Sequence, residues 1–113
     1  MDAMQARFVQ DGIYIDYTPS TDVASGTIVV QGDLVGVAIR PIPANTLGAL
    51  AVAGVFDVKK ATATVFNVGA KVYWDTENSV AVTTDGGGAN KYLGKAIRAA
   101  GNGTTTVRVL LLQ

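Results

Sequence analysis

Thr27-Ile28-Val29-Val30-Gln31-Gly32-Asp33-Leu34-Val35-Gly36-Val37-Ala38-Ile39-Arg40 is the stretch that decides how this chain folds. Its first four residues are β-branched, which favours a pleated strand over a helix. Gln31-Gly32-Asp33 turns the chain, and residues 34–39 return as a second strand. Pro41 and Pro43 end that strand, because proline has no N–H to donate to a ladder.

The same alternation of short β-prone runs and glycine punctuation extends in both directions. Residues 7–9 and 13–17 flank Asp11-Gly12, a pattern that predicts a hairpin. Residues 18–22 are rich in turn formers and read as a loop. Residues 50–58 contain good helix formers, but Gly48, Gly54 and the valines favour a strand. Further strands are predicted at 62–66, 71–74, 80–83, 92–99 and 105–112. A turn falls at Val68-Gly69-Ala70, and a flexible connection at Asp85-Gly86-Gly87-Gly88. About nine short, mostly antiparallel strands imply an all-β fold, a compact barrel or sandwich. Residues 8–113 read as a single domain. Residues 1–7 carry few fold-specifying signals and read as an arm that orders on a partner or as a flexible tail.

An internal repeat is visible. Leu34-Val35-Gly36-Val37-Ala38-Ile39-Arg40 aligns with Tyr92-Leu93-Gly94-Lys95-Ala96-Ile97-Arg98. Upstream, residues 27–35 align loosely with 64–72, matching Gly32 to Gly69, and a hairpin at 73–83 intervenes in the second copy. A chance likeness between valine-rich strands is the alternative. In either case Gly36 and Gly94 suggest places where a backbone or a bulky ring passes close over a strand.

Composition narrows the function. The 113 residues include nine basic and nine acidic side chains, no cysteine and no histidine. Disulfides, thiol chemistry and Cys/His zinc sites are excluded, as are the usual nucleophile–base pairs. Zero net charge argues against nucleic acid as a partner, and Lys59-Lys60 is too small a basic patch to change that. No run is long enough to span a bilayer, and the first residues lack the basic flank and apolar run of a signal peptide. The product is therefore expected in the cytoplasm unless it leaves inside a particle. Hydrophobic residues make up 49% and charged ones 16%. A domain of this size has limited interior, so part of that apolar surface is expected to lie against a partner.

The remaining chemical candidates read better as structure. Asp57, Asp75, Glu77 and Asp85 are the possible paired carboxylates; Asp75 and Glu77 share a turn, where acidic residues are ordinary. Gly94-Lys95 superficially resembles the end of a phosphate loop, but Ala96 follows where Ser or Thr is needed. Phe66, Tyr73 and Trp74 read as core and interface rather than a stacking platform. Tyr73 and Trp74 are neighbours in a strand and so face opposite ways. Arg40 and Arg98 occupy matching places in the repeat, where a guanidinium can clamp a carboxylate across a subunit boundary or lie solvated at a strand end. The expectation is no catalytic residue, no cofactor site and no metal site. The candidate interface residues are Phe8, Arg40, Tyr73, Trp74 and Arg98.

Gly32-Asp33-Leu34-Val35-Gly36-Val37-Ala38 resembles the early core motif of the phage capsid cement, or head decoration, family. Gly54-Val55-Phe56-Asp57-Val58-Lys59-Lys60-Ala61-Thr62 is similar to its central segment, and Phe66-Asn67-Val68-Gly69-Ala70-Lys71-Val72-Tyr73-Trp74-Asp75 to its glycine-to-tryptophan block. Leu93-Gly94-Lys95-Ala96 and Val107-Arg108-Val109 resemble its closing part. The resemblance runs from about Phe8 to Leu112. It implies a β-rich protein, not an enzyme, that binds the outside of a mature phage or prophage head and reinforces it. The implied partner is the major capsid protein. The implied location is the virion exterior, after the host cytoplasm. A symmetric homo-oligomer, with a trimer favoured, would suit a symmetric lattice. Some members carry a RecA/RadA-type recombinase label, for which these residues offer neither a Walker motif nor a basic groove. A low-copy tail, connector or fibre-base subunit is the alternative, followed by a small-ligand module.

Overall fold

Nine strands form among the described residues: β1 (Tyr14–Tyr17), β2 (Ile28–Gln31), β3 (Leu34–Val37), β4 (Gly48–Ala51), β5 (Val55–Lys59), β6 (Lys71–Asp75), β7 (Val80–Val82), β8 (Lys91–Ala96) and β9 (Thr106–Leu111). The structure, a computed structural model, describes residues 5–8 and 10–113. One sheet has the order β1-β4-β3-β2 and the other β5-β9-β8-β6-β7, with every strand pair antiparallel. The result is an all-β sandwich rather than a closed barrel. The deciding stretch forms the β2–β3 hairpin, with Val29 opposite Gly36 and Val30 opposite Val35. Gly32 turns it at φ 60°, where a side chain would be strained.

Several elements differ from the sequence reading. Among the described residues, no hairpin joins Arg7 and Phe8 to residues 13–17. Arg7 and Phe8 lie outside any strand, Val9 is outside the described residues, and β1 pairs with β4 instead. That pairing sets Ile15 opposite the buried Leu50, a gain that outweighs a local Asp-Gly preference. Residues 50–58 form parts of two strands, broken at Gly54 with φ 116°. Residues 62–66 are a turn segment in which only Phe66 bridges, to Ala100. The glycine run is a short 3-10 turn, Gly86–Gly88, capped by the Asp85 carboxylate accepting from the Gly87 N–H at 3.1 Å.

The internal repeat is a duplication of the whole architecture. The order β1-β4-β3-β2 recurs as β5-β9-β8-β6, with β7 and its flanking turns inserted after β6. The irregular hydrogen bonds recur as well. Gly26 N–H donates to Ala38 O at 2.6 Å, and Gly69 N–H to Ala96 O at 2.7 Å. Ala38 N–H donates to Thr27 O, and Ala96 N–H to Ala70 O, both at 2.9 Å. The bridge Val23–Ile42 corresponds to Phe66–Ala100. These pairs match Gly26, not Gly32, to Gly69, which corrects the upstream alignment. The downstream match of residues 34–40 to 92–98 stands, with Val29 opposite Gly36 where Val72 is opposite Gly94.

The cores repeat too. Ile15, Tyr17, Val23, Val29, Ala38, Ile42 and Leu50 gather in the first unit. Their counterparts Phe56, Val58, Phe66, Val72, Ala96, Ala100 and Val109 all belong to the larger cluster of the second. The back of the β2–β3 hairpin (Ile28, Val30, Val35 and Val37) packs onto that larger cluster. Burial of each such side chain contributes roughly 1.5–3 kcal/mol. Gln113 joins the units where β3 and β4 diverge. Its side-chain amide donates to Val35 O at 2.9 Å and Val52 O at 3.1 Å, and its Oε1 accepts from Val35 N–H at 3.3 Å.

Two close approaches explain the repeated glycine. A Cβ on Gly36 would lie 2.8 Å from the Leu50 Cβ, and one on Gly94 would lie 1.9 Å from the Leu110 carbonyl oxygen. The register between β6 and β8 shifts between Val72 and Tyr73, a bulge that leaves Leu93 unmatched and buried.

Candidate functional site

Two shallow grooves occupy equivalent places in the two units. The first, about 300 Å³, is lined by Tyr14, Ile39, Arg40, Pro41, Leu47 and Ala49 among others. The second, about 320 Å³, is lined by Asp57, Arg98, Ala99, Ala100, Thr106 and Arg108. Arg40 corresponds to Arg98, Leu47 to Thr106 and Ala49 to Arg108, so the sequence-matched arginines do lie in matched surroundings.

The chemistry of the two differs. In the second groove Arg108 grips Asp57 across the β5–β9 ladder, with Nε to Oδ1 at 3.0 Å and Nη2 to Oδ2 at 3.3 Å. Those hydrogen bonds hold the Asp57 carboxyl below its ordinary range, with the Arg108 and Arg98 charges adding to the effect. The Arg108 guanidinium is correspondingly raised by the Asp57 hydrogen bond. In the first groove Ala49 stands where Arg108 stands in the second. The walls are apolar and open: Tyr14 is 46% exposed, Ile39 44% and Leu47 67%. Among the described residues Arg40 forms no salt bridge.

The other candidate residues separate cleanly. Trp74 turns inward, 8% exposed, into the larger core, and lines an apolar groove of about 440 Å³ between β2 and β5. Tyr73 faces the outside, edge-on to Tyr92 with ring centroids 5.8 Å apart at 66°. Tyr73 is therefore the member of the pair that a partner can reach from the outer face. Phe8 is 80% exposed at the start of the domain. The structure does not gather these residues into one patch: Arg40 and Arg98 belong to different units, and Tyr73 to the outer face of the second.

The described residues contain no group of three or more His, Cys, Asp or Glu placed to hold a metal. Asp75 accepts hydrogen bonds from the Glu77 and Asn78 backbone N–H groups and from Asn78 Nδ2. The Asn78 side chain, with its N–H, holds Asp75 below its ordinary range. Asp75 is thus spent in stabilising the β6–β7 turn. No helix of the described residues is long and apolar enough to cross a membrane.

Sequence reasoning missed Lys60, 3% exposed. Its ammonium donates to the carbonyls of Thr64 (2.7 Å), Ala61 (3.1 Å), Gly101 (3.3 Å) and Thr62 (3.4 Å). Next to Lys59 it reads as half of a solvated pair; only the alternation of β5 carried one residue further would place it inside. The apolar groove of the first unit also went unread, because Tyr14, Ile39 and Leu47 come from three separate segments.

The phage cement protein family matches residues 9–111, so the chain belongs to that family and is a phage capsid cement protein. The family is structural, and membership places the protein at the capsid exterior of the virion, bound to the capsid. No curated protein and no solved structure matches the chain.

Proposed function

We propose that this protein binds the outer surface of the mature head as a small symmetric oligomer, a trimer, and holds the expanded shell in place without any catalytic role. Family membership over nearly the whole chain carries the reading. The outward Tyr73–Tyr92 pair, the exposed Phe8 and the two arginine grooves supply contact chemistry, whereas Asp75 and Asp85 are spent on turns and Asp57 on a strand pair. The mechanism is linkage: tighter binding to the expanded shell than to the procapsid shifts the equilibrium toward the expanded form. Symmetry multiplies one patch around an axis and gains avidity. The segment before Phe8 acts as an arm that adds to the shell; its first four residues lie outside the described ones. Before assembly the protein resides in the host cytoplasm.

Co-sedimentation of the purified protein with mature capsids and with procapsids of its phage tests this. Saturation at a symmetric number of copies in the hundreds per particle, with weaker binding to procapsids, is the expected result. No binding at micromolar protein would refute it and redirect attention to tail fractions. Removal of residues 1–7 should weaken capsid binding; undiminished binding would eliminate the arm.

A further inference from the structure

We infer that copies of this chain associate head to tail: the outer face of β6 and β8 of one copy, around Lys71 and Lys95, seats against β1 of the next, around Asp16. This rests on the symmetric-oligomer reading and identifies the two surfaces that join the copies.

The duplication supplies the geometry. In the first unit Ile28 and Val37 stand opposite each other on β2 and β3 and turn toward the second unit. They line the groove whose far wall is Phe56, Asp57, Val58 and Lys59 of β5. That contact is the joint between the units. The counterparts of Ile28 and Val37 are Lys71 and Lys95, again opposite each other, on β6 and β8. The counterparts of residues 56–59 are residues 15–18 on and just after β1. Both surfaces are open in a single copy: Lys71, Lys95, Asp16 and Thr18 are exposed, and Tyr17 is only half-buried where its counterpart Val58 is buried. Repeating the joint once more sets Lys71 and Lys95 of one copy beside Asp16 of the next.

The charges have the matching sense. Two lysines directly opposite, with Cβ atoms about 5 Å apart, destabilise a sheet, and among the described residues neither forms a salt bridge. Asp16 stands opposite Ala49 where Asp57 stands opposite Arg108, so it too lacks a salt bridge there. Residues 1–53 hold two basic and five acidic side chains, and residues 54–113 hold seven and four. A carboxylate from the first unit of a second copy therefore relieves the lysine pair. A contact of this kind is heterologous, and it yields a ring where its rotation closes. An acidic segment of the capsid is the competing occupant of the lysine pair, and the test separates the two.

Asp16→Lys and Lys95→Asp are made singly and together, with Glu77→Lys as a control for the added positive charge. All three residues are exposed, so far-UV circular dichroism should match that of the parent protein. Sedimentation velocity over a concentration series, at low and at high salt, reads self-association. The parent should associate, and more weakly in high salt. Each single variant should associate at least about tenfold more weakly. The double variant should associate more tightly than either single one, and Glu77→Lys should match the parent. If the parent associates and the single variants do so equally well, the interface is wrong while the oligomer reading survives. If Lys95→Asp keeps the oligomer but no longer co-sediments with capsids, the lysine pair meets the capsid and the head-to-tail contact is overturned. A parent that stays monomeric at low salt also overturns it, and isolated copies on decorated capsids, seen by electron microscopy, would remove the oligomer reading as well.

Discussion

Gly94→Ala is the sharpest test of the packing described above. The new methyl carbon would meet the Leu110 oxygen at 1.9 Å, the Leu110 carbonyl carbon at 2.9 Å and the Leu111 Cα at 3.1 Å. An ordinary carbon–oxygen contact is about 3.3–3.6 Å, so β8 and β9 must part by well over an ångström. These obstacles are backbone atoms in the middle of a five-stranded sheet, and no rotamer change relieves them. Overpacking alone costs about 1–3 kcal/mol. The Leu112 N–H bond to Leu93 O at 3.1 Å and its ladder neighbours stretch as well, at about 1 kcal/mol each. The loss of unfolded-state freedom on replacing glycine returns less than about 1 kcal/mol. The net cost is about 2–4 kcal/mol, a large share of the roughly 5–15 kcal/mol that holds a domain together. Gly36→Ala meets chiefly the Leu50 side chain, at 2.8 and 3.2 Å, and should cost about 1–2 kcal/mol. Urea unfolding followed by tryptophan fluorescence reads both variants against the parent. A Gly94→Ala protein within about 0.5 kcal/mol of the parent, or one more stable than Gly36→Ala, would refute the reasoning.

Other outcomes follow from single contacts. Lys60→Met removes the ammonium from four carbonyls, three of which keep a backbone donor while Thr64 O loses its partner, and should destabilise by about 1–3 kcal/mol. Faster amide exchange should appear in residues 61–64, whereas Lys59→Met should be near neutral; equal effects would contradict the buried cage. Gln113→Ala removes the amide that joins Val35 to Val52 and should cost about 1–2 kcal/mol in the same urea assay. Asp57 and Asp75 are both held below the ordinary 3.8. Their contribution is therefore complete above that value and declines as pH falls through it, because the unfolded chain takes up protons first. The urea midpoint should drop below about pH 4, and Asp57→Asn should flatten that limb; an unchanged profile would remove the Arg108 pair from the account.

Most of the strand inventory was legible because it depends on local chemistry. β-branched runs, glycine turns and proline stops put β2, β3, β6, β7, β8 and β9 close to where they are. What failed did so where partners are distant in sequence. The Asp11-Gly12 hairpin lost to a β1–β4 pairing that no local signal encodes. Residues 62–66 bend because a lysine ammonium gathers their carbonyls, and β-propensity carries no trace of that. The repeat was visible through Gly-x-Ala-Ile-Arg, but its upstream register was set wrongly by a hairpin glycine. Turn glycines are interchangeable to the eye; the hydrogen bonds of Gly26 and Gly69 distinguish them. Arg40 and Arg98 were matched correctly, yet the ion pair beside Arg98 belongs to Arg108 and Asp57, and its absence beside Arg40 comes from Ala49 at the place of Arg108, a difference that shows only once the strands are in register.

The central place of β9 bears on how the molecule comes into being. β5 and β8 pair with β9 and not with each other. Until residues 106–111 leave the ribosome, the second sheet therefore has a vacant middle. The valines on the back of the first hairpin have no finished surface to rest on during that interval. Each newly made chain thus stays adhesive until β9 has been made, and a protein required in many copies at once would pass through its most crowded moment in its least protected form.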